Sequence, residues 1–261
     1  MTTSLFTESR GQGPHLVLLH GWGLNSGVWE SIIEQLEDHF RITFIDLPGY
    51  GRNASVLPSH YDLDSITSMV AECLPNKCSL LGWSMGGLVA QKIACEHATN
   101  IEKLVLLATS PKFSQDEDWP GIKPNVLNTF EQQLEHNYTK TLDRFMAIQA
   151  LGSATAKQDI KFIRDFIQHY PMPDAEALRA GLRILADTDL RTRISEIQCE
   201  THRWYGRLDS LVPVKATNSI ATLQPNSQTH IFAHASHAPF ISHPEEFIAQ
   251  LLSLFSTDIK V

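Results

Sequence analysis

The stretch Gly82-Trp83-Ser84-Met85-Gly86, followed at once by Gly87, surrounds one serine with residues of little or no side chain at the critical positions. A strand that turns sharply into a helix while presenting a side chain at the bend leaves no room for Cβ atoms beside it, and the residue at the bend is strained. The apolar run 78–83 before the serine and the amphipathic stretch 87–98 after it supply that context. In this setting the G-x-S-x-G pattern makes Ser84 a nucleophile for an acyl carbon. A helix beginning just after Ser84 has unpaired N–H groups and a partial positive charge at its start. Met85 N–H is therefore a candidate oxyanion donor.

A serine hydroxyl attacks well only when a positioned base takes its proton, and that base needs a buried carboxylate to orient it. In WYGRLDSLVP, Asp209 lies just beyond an apolar run that reads as a strand, where ligands collect in open parallel sheets. For the base, His230, His234, His237 and His243 compete around the last such run. His230 falls inside the strand and His243 precedes Pro244 at a helix start. His237 lies in a loop four residues after the strand end, ahead of Pro239, and is the expected base, with His234 second. The order Ser84, Asp209, His237 at successive strand ends is that of a strand-based acyl-transfer triad. The second oxyanion donor is expected at Trp22 N–H, in His20-Gly21-Trp22-Gly23 after the first apolar strand. A plain tight turn is the competing reading of those two glycines. Asp46, before a Pro-Gly turn, reads as a carboxylate bonding turn backbone.

The elements that must position these residues alternate. HLVLLH (15–20), RITFID (41–46), CSLLGW (78–83), KLVLLA (103–108), THRWYG (201–206) and THIFA (229–233) read as strands, with helix-period stretches between them. The expected class is α/β: a mostly parallel, doubly wound sheet. Residues 111–190 break the rhythm with consecutive helical patterns, through Phe130, Leu134, Leu142 and Phe145, then Ile160, Ile163 and Ile167, then Leu178, Leu182 and Leu185. The expected division is a core of residues 1–110 and 191–261 and a helical cap of residues 111–190, reached through a Pro-containing, acidic linker.

Hydrophobic residues at 43% and charged ones at 19% describe a folded globular chain. A net charge of −8 argues against nucleic acid as the main partner. The four cysteines have no metal-site spacing, the first residues lack a signal-peptide pattern, and no apolar run approaches the roughly 18 to 20 residues that cross a bilayer. A cytoplasmic monomer is expected, without membrane contact. The histidines lack the i, i+4 spacing with an acid of a zinc helix, and no GxGxxG or Walker pattern occurs, so no metal and no cofactor are expected.

The motifs HGWGLNSGVW (20–29), DLPGYGR (46–52), LLGWSMGGLVA (80–90), FMAIQALG (145–152), YGRLDSLVP (205–213) and SHAPFISHP (236–244) together make the whole chain resemble the α/β-hydrolase family. Within it, they are similar to the carboxylesterases of biotin synthesis that remove the methyl group from a pimeloyl ester on acyl carrier protein. The resemblance implies the α/β-hydrolase fold with its cap inserted between strands, a serine esterase using water as co-substrate, and acyl carrier protein as partner. It implies that Phe145 and Gln149, within the run Phe145, Met146, Ala147, Ile148, Gln149, line an acyl pocket beside Trp22, with Ser84, Met85 and His237 completing the substrate contacts. Asn53 departs from the serine common in relatives after the PGxGR turn. A lid-covered hydrolase of other esters or of N-terminal amino acids shares the same motifs, as does a non-catalytic receptor on the same fold.

Lys140 and Arg144 are spaced i, i+4, as are Lys157 and Lys161, so each cap helix can carry a basic stripe on an acidic protein. Such a rim would steer an acidic carrier protein. Asp143, Asp159 and Asp165 support the alternative, solvated helix faces with local ion pairs.

Overall fold

Most of the apolar runs are buried on both faces, which is why they read as nearly unbroken hydrophobic stretches, whereas the last, 228–232, is a largely exposed edge strand. The computed structural model describes residues 4–96, 100–151 and 153–256. Among these residues seven strands, β1 (Thr7–Arg10), β2 (His15–Leu19), β3 (Arg41–Ile45), β4 (Cys78–Trp83), β5 (Ile101–Leu107), β6 (Glu200–Gly206) and β7 (Gln228–Phe232), form one sheet in the order β1-β3-β2-β4-β5-β6-β7. All neighbours are parallel except β1, which runs antiparallel to β3.

Strand residues alternate between two cores. Val17, Leu19, Leu80, Leu104 and Leu106 enter one, and Leu16, Leu18, Leu81, Val105 and Leu107 the other. Helices α1 (Glu30–Leu36), α2 (Leu63–Ala71) and α3 (Met85–Glu96) connect the early strands. Helices α7 (Ala216–Leu223), α8 (Pro239–Ser242) and α9 (Pro244–Ser253) connect and follow the late ones.

Strand order reverses at β2, between β3 and β4, and crevices outside the carboxyl ends at such a switch collect ligands. The register pairs Leu19 with Gly82, so the loop after β2 and the turn after β4 emerge side by side.

Between β5 and β6 the chain leaves the sheet for α4 (Pro124–Gln149), α5 (Ala156–Ile167) and α6 (Ala175–Asp187). The apolar pattern runs through α4 without interruption, yet the helix breaks at Asn137, whose backbone is extended (φ −161°, ψ 91°) and whose side chain accepts the Lys140 N–H at 3.0 Å. Asn137 thus acts as an internal N-cap for the second half of α4. The segments leading into and out of these helices are clamped together: Lys112 and Arg191 both pair with Asp116 and Asp189, and Arg191 lies over the Trp119 ring.

β1 has no apolar signal because it is a four-residue edge strand with little buried. Its connection rests on Asn53, whose amide group bonds both Phe6 N (2.7 Å) and Phe6 O (3.1 Å) and the Asp46 carbonyl (2.6 Å). A serine is too short to span those three groups, so the departure at this position has a structural use here.

Candidate active site

β4 ends at Trp83 and α3 begins at Met85, so the entire turn is Ser84. Its φ of 55° is left-handed, a costly conformation for a serine. The surroundings over-determine it: Ser84 N donates to Leu107 O (3.0 Å), and Ser84 O accepts from Thr109 Oγ1 (2.8 Å) and Gly87 N (2.9 Å). A Cβ on Gly82 would stand 2.5 Å from Gly86 O, and one on Gly86 2.5 Å from His20 O. Only glycines let the start of α3 press against both β4 and the end of β2.

His237 reaches Ser84 and Asp209 at once. Its Nε2 is 2.9 Å from Ser84 Oγ and its Nδ1 2.8 Å from Asp209 Oδ2, with all three side chains buried. Asp209 Oδ1 accepts the N–H groups of Leu211 (2.8 Å) and Val212 (3.0 Å), so this carboxylate serves as an acceptor throughout. His237 accordingly carries its proton on Nδ1 and presents a bare Nε2 to the serine hydroxyl. The Trp83 indole holds the base from the core side, its Nε1 donating to His237 O at 2.8 Å.

Trp22 N–H and Met85 N–H have no acceptor among the described residues. They flank the serine from the loop after β2 and from the start of α3, and can receive developing negative charge. The Trp22 peptide is oriented by His20, whose Nδ1 donates to Gly21 O (2.8 Å) while its Nε2 accepts Leu47 N–H (3.0 Å). Burial depresses the pKa of His20, with Asp46 opposing the shift. This ring is therefore neutral in the tautomer that the two bonds require.

The other histidines do not join the site. His230 lies in β7 against Trp204 and Phe232, and burial lowers its pKa. His234 is exposed, and His243 bonds Ser242 at the start of α9. Asp46 accepts Ser26 N (2.6 Å) and Arg52 N (2.9 Å), holding two turns.

From the cap, Phe145 meets the Trp22 ring edge-on at 4.7 Å, and Trp22 Nε1 donates to Leu178 O of α6 at 2.9 Å. Gln149 is buried one turn later; its backbone carbonyl accepts His237 N–H (3.2 Å), and its Oε1 has no donor among the described residues. Met146 lines an apolar cavity of about 420 Å³ together with Gly23, Leu142, Ile167 and Met172. Ile148 is half-buried, and Ala147 is exposed. A helix advances 100° per residue, so Phe145 and Gln149 share a face that Ala147 cannot share.

Lys140, Arg144, Lys157 and Lys161 are all exposed. Asp143 pairs with Arg164 (2.9 Å), and Asp159 turns inward to Ser153 and Thr155. Among the described residues none of the four basic side chains has a carboxylate partner; Arg144 bonds Gln133 and lies over Phe130. No group of three or more His, Cys, Asp and Glu among the described residues is arranged to hold a metal ion, and no helix there is long and apolar enough to cross a membrane.

Residues 14–244 match the family described as alpha/beta hydrolase fold. The chain is 51% identical over 253 residues to the pimeloyl-[acyl-carrier protein] methyl ester esterase of Pseudoalteromonas atlantica, covering 97% of this chain and 98% of the relative. It is 47% identical over 251 residues to the protein of the same name from Aliivibrio fischeri, covering 96% and 97%. Among solved structures, an esterase from Exiguobacterium antarcticum superposes with a TM-score of 0.86 at 24% identity, over 97% of this chain and 95% of that one. A bromoperoxidase from Bacillus anthracis gives 0.84 at 24% identity over the same shares. At that identity the structural likeness speaks for the fold.

Proposed function

The chain belongs to the α/β-hydrolase family, and from that premise we propose that it is a serine carboxylesterase that hydrolyses the methyl ester of pimeloyl-acyl carrier protein. The observation that carries the proposal is His237 bridging Ser84 and Asp209 at 2.9 and 2.8 Å, beside two N–H groups without an acceptor among the described residues. The name shared by relatives at 51% and 47% identity supports the substrate.

Ser84 Oγ attacks the ester carbonyl carbon as its proton passes to His237 Nε2. The tetrahedral oxyanion is held by Trp22 N–H and Met85 N–H, while Asp209 stabilises the imidazolium. The carbon–methoxy bond then breaks, and His237 returns the proton to the leaving oxygen as methanol departs. Water attacks the acyl-serine in the same way: His237 takes its proton, the acyl–Oγ bond breaks, and Ser84 recovers its hydrogen. The products are methanol and a carrier-bound chain ending in a carboxylate.

The core of residues 1–110 and 191–261 supplies the triad, and the cap of residues 111–190 covers the acyl chain with Phe145 and Gln149. Gln149 Oε1, without a donor among the described residues, is an acceptor on offer to an N–H or O–H group of a substrate. Lys140, Arg144, Lys157 and Lys161 form the rim that attracts the acidic carrier. A cytoplasmic location accords with four free cysteines.

Turnover of carrier-bound pimeloyl monomethyl ester, compared with p-nitrophenyl esters and aminoacyl amides, tests the proposal. Release of methanol at a kcat/KM well above that for free esters is expected. Preference for aminoacyl amides, or binding without multiple turnover, would replace it with a peptidase or a receptor.

A further inference from the structure

The loop that carries His237, between β7 and α8, is held from two sides. On the core side, Trp83 Nε1 donates to His237 O, and Leu208 N donates to Ala235 O (3.0 Å). On the cap side, His237 N donates to Gln149 O (3.2 Å), and Ser236 Oγ donates to Leu151 O (2.8 Å). Gln149 and Leu151 stand at the end of α4, where a helix leaves carbonyls without intrahelical partners. The loop bearing the base therefore supplies the C-terminal capping of the principal cap helix. The bond works in both directions: whatever moves the end of α4 also pulls on the imidazole.

One side chain makes this connection. Ser236 is buried, and its hydroxyl lies between Leu151 O at 2.8 Å and, at 3.5 Å, the carbonyl of Leu208, the residue before Asp209. A hydroxyl has one proton to give, and here it goes to the cap. We propose that Ser236 is a positioning residue that couples the cap to the base, so that His237 is aligned between Asp209 and Ser84 only while the end of α4 is docked. The inference rests on the reading of His237 as the general base. It assigns the cap a part in the chemical step itself, in addition to covering the acyl chain. A substrate or carrier that seats the cap would thereby align the base.

Ser236→Ala tests this. Loss of one anchoring hydrogen bond should lower kcat about fivefold to tenfold, tenfold being about 1.4 kcal/mol. Acetyl and longer p-nitrophenyl esters should be affected alike, with KM within about twofold of wild type. The downfield proton resonance of His237 Nδ1, which reports its bond to Asp209, should broaden or disappear at neutral pH. A purely structural serine would lower the thermal midpoint but leave kcat and that resonance as in wild type, and this result would overturn the proposal. Ser236→Thr and Ser236→Val, equal in shape, isolate the hydroxyl: the Thr variant should keep the resonance and most of kcat, and the Val variant should lose both. Equal behaviour of the two would also overturn it. Ser84→Ala serves as the control for the underlying function. Esterase activity that survives it removes the esterase reading, whereas the His237 resonance still reports the coupling in a protein without turnover.

Discussion

Phe145 offers the sharpest test of how the cap recognises its substrate. Its ring is 3% exposed, edge-on to Trp22 at 4.7 Å and to Phe130 at 5.7 Å. A pimeloyl chain has five methylenes between its carbonyl carbons, and at about 0.8 kcal/mol for each one removed from water their burial is worth up to about 4 kcal/mol. That is close to a thousandfold in kcat/KM over an acetyl ester, or about fourfold per methylene. Phe145→Ala removes the wall beside Trp22 and should reduce the gain to about twofold per methylene, with the acetyl ester nearly unchanged. The same truncation costs about 3 to 5 kcal/mol of stability, so the folded fraction must be checked by thermal unfolding at the assay temperature. The assay is kcat/KM for p-nitrophenyl esters of increasing length, plotted as its logarithm against methylene count. Parallel lines for wild type and variant would remove Phe145 from the acyl site. A point substitution is the right perturbation, because deleting the cap would also remove the Gln149 and Leu151 carbonyls that hold the loop of His237.

Two further outcomes follow from charge. Reversing Lys140, Arg144, Lys157 and Lys161 to Glu should raise KM for the carrier-bound ester several-fold, an effect that fades as salt shortens the Debye length from about 10 Å at 0.1 M. A small free ester should be unaffected; an unchanged KM for the carrier-bound ester would move the docking surface elsewhere. Burial holds the pKa of His20 below its ordinary 6.5, so its stabilising contribution is complete above that value and is lost as pH falls through the lowered one. Thermal midpoints measured from about pH 8 to about pH 5 should therefore fall more steeply in wild type than in His20→Asn. Identical slopes would show that His20 does not titrate with folding.

The parts of the molecule legible in sequence are those where one physical demand acts on a short stretch. β4 is buried on both faces and reads as an apolar run; Gly82 and Gly86 are required by the close approach of α3, and the pattern around Ser84 follows from them. Asp209 and His237 could be found because strand ends are easily located once strands are. What stayed hidden depends on partners distant in sequence. β1 shows no apolar pattern because its contribution is a backbone ladder at the sheet edge. The break of α4 at Asn137 replaces helical bonds with a side-chain cap inside an uninterrupted apolar pattern. The anchoring of His237 joins positions far apart in the chain, 154 residues for Trp83 and 85 for the Ser236–Leu151 bond at the end of α4, separations that carry no local pattern.

The central claim is that Ser84, activated by His237 and Asp209, forms the acyl-enzyme. The most direct measurement is the rate of methanol release from carrier-bound pimeloyl monomethyl ester by wild type and Ser84→Ala, with intact-protein mass reporting acylation during turnover. Substituting alanine adds no bulk at the bend, so the variant should be folded, carry no acyl adduct, and be slower by at least about 10⁴-fold, as loss of a nucleophile from such a triad requires. A Ser84→Ala rate within tenfold of wild type, or an acyl adduct on another residue, would contradict the account.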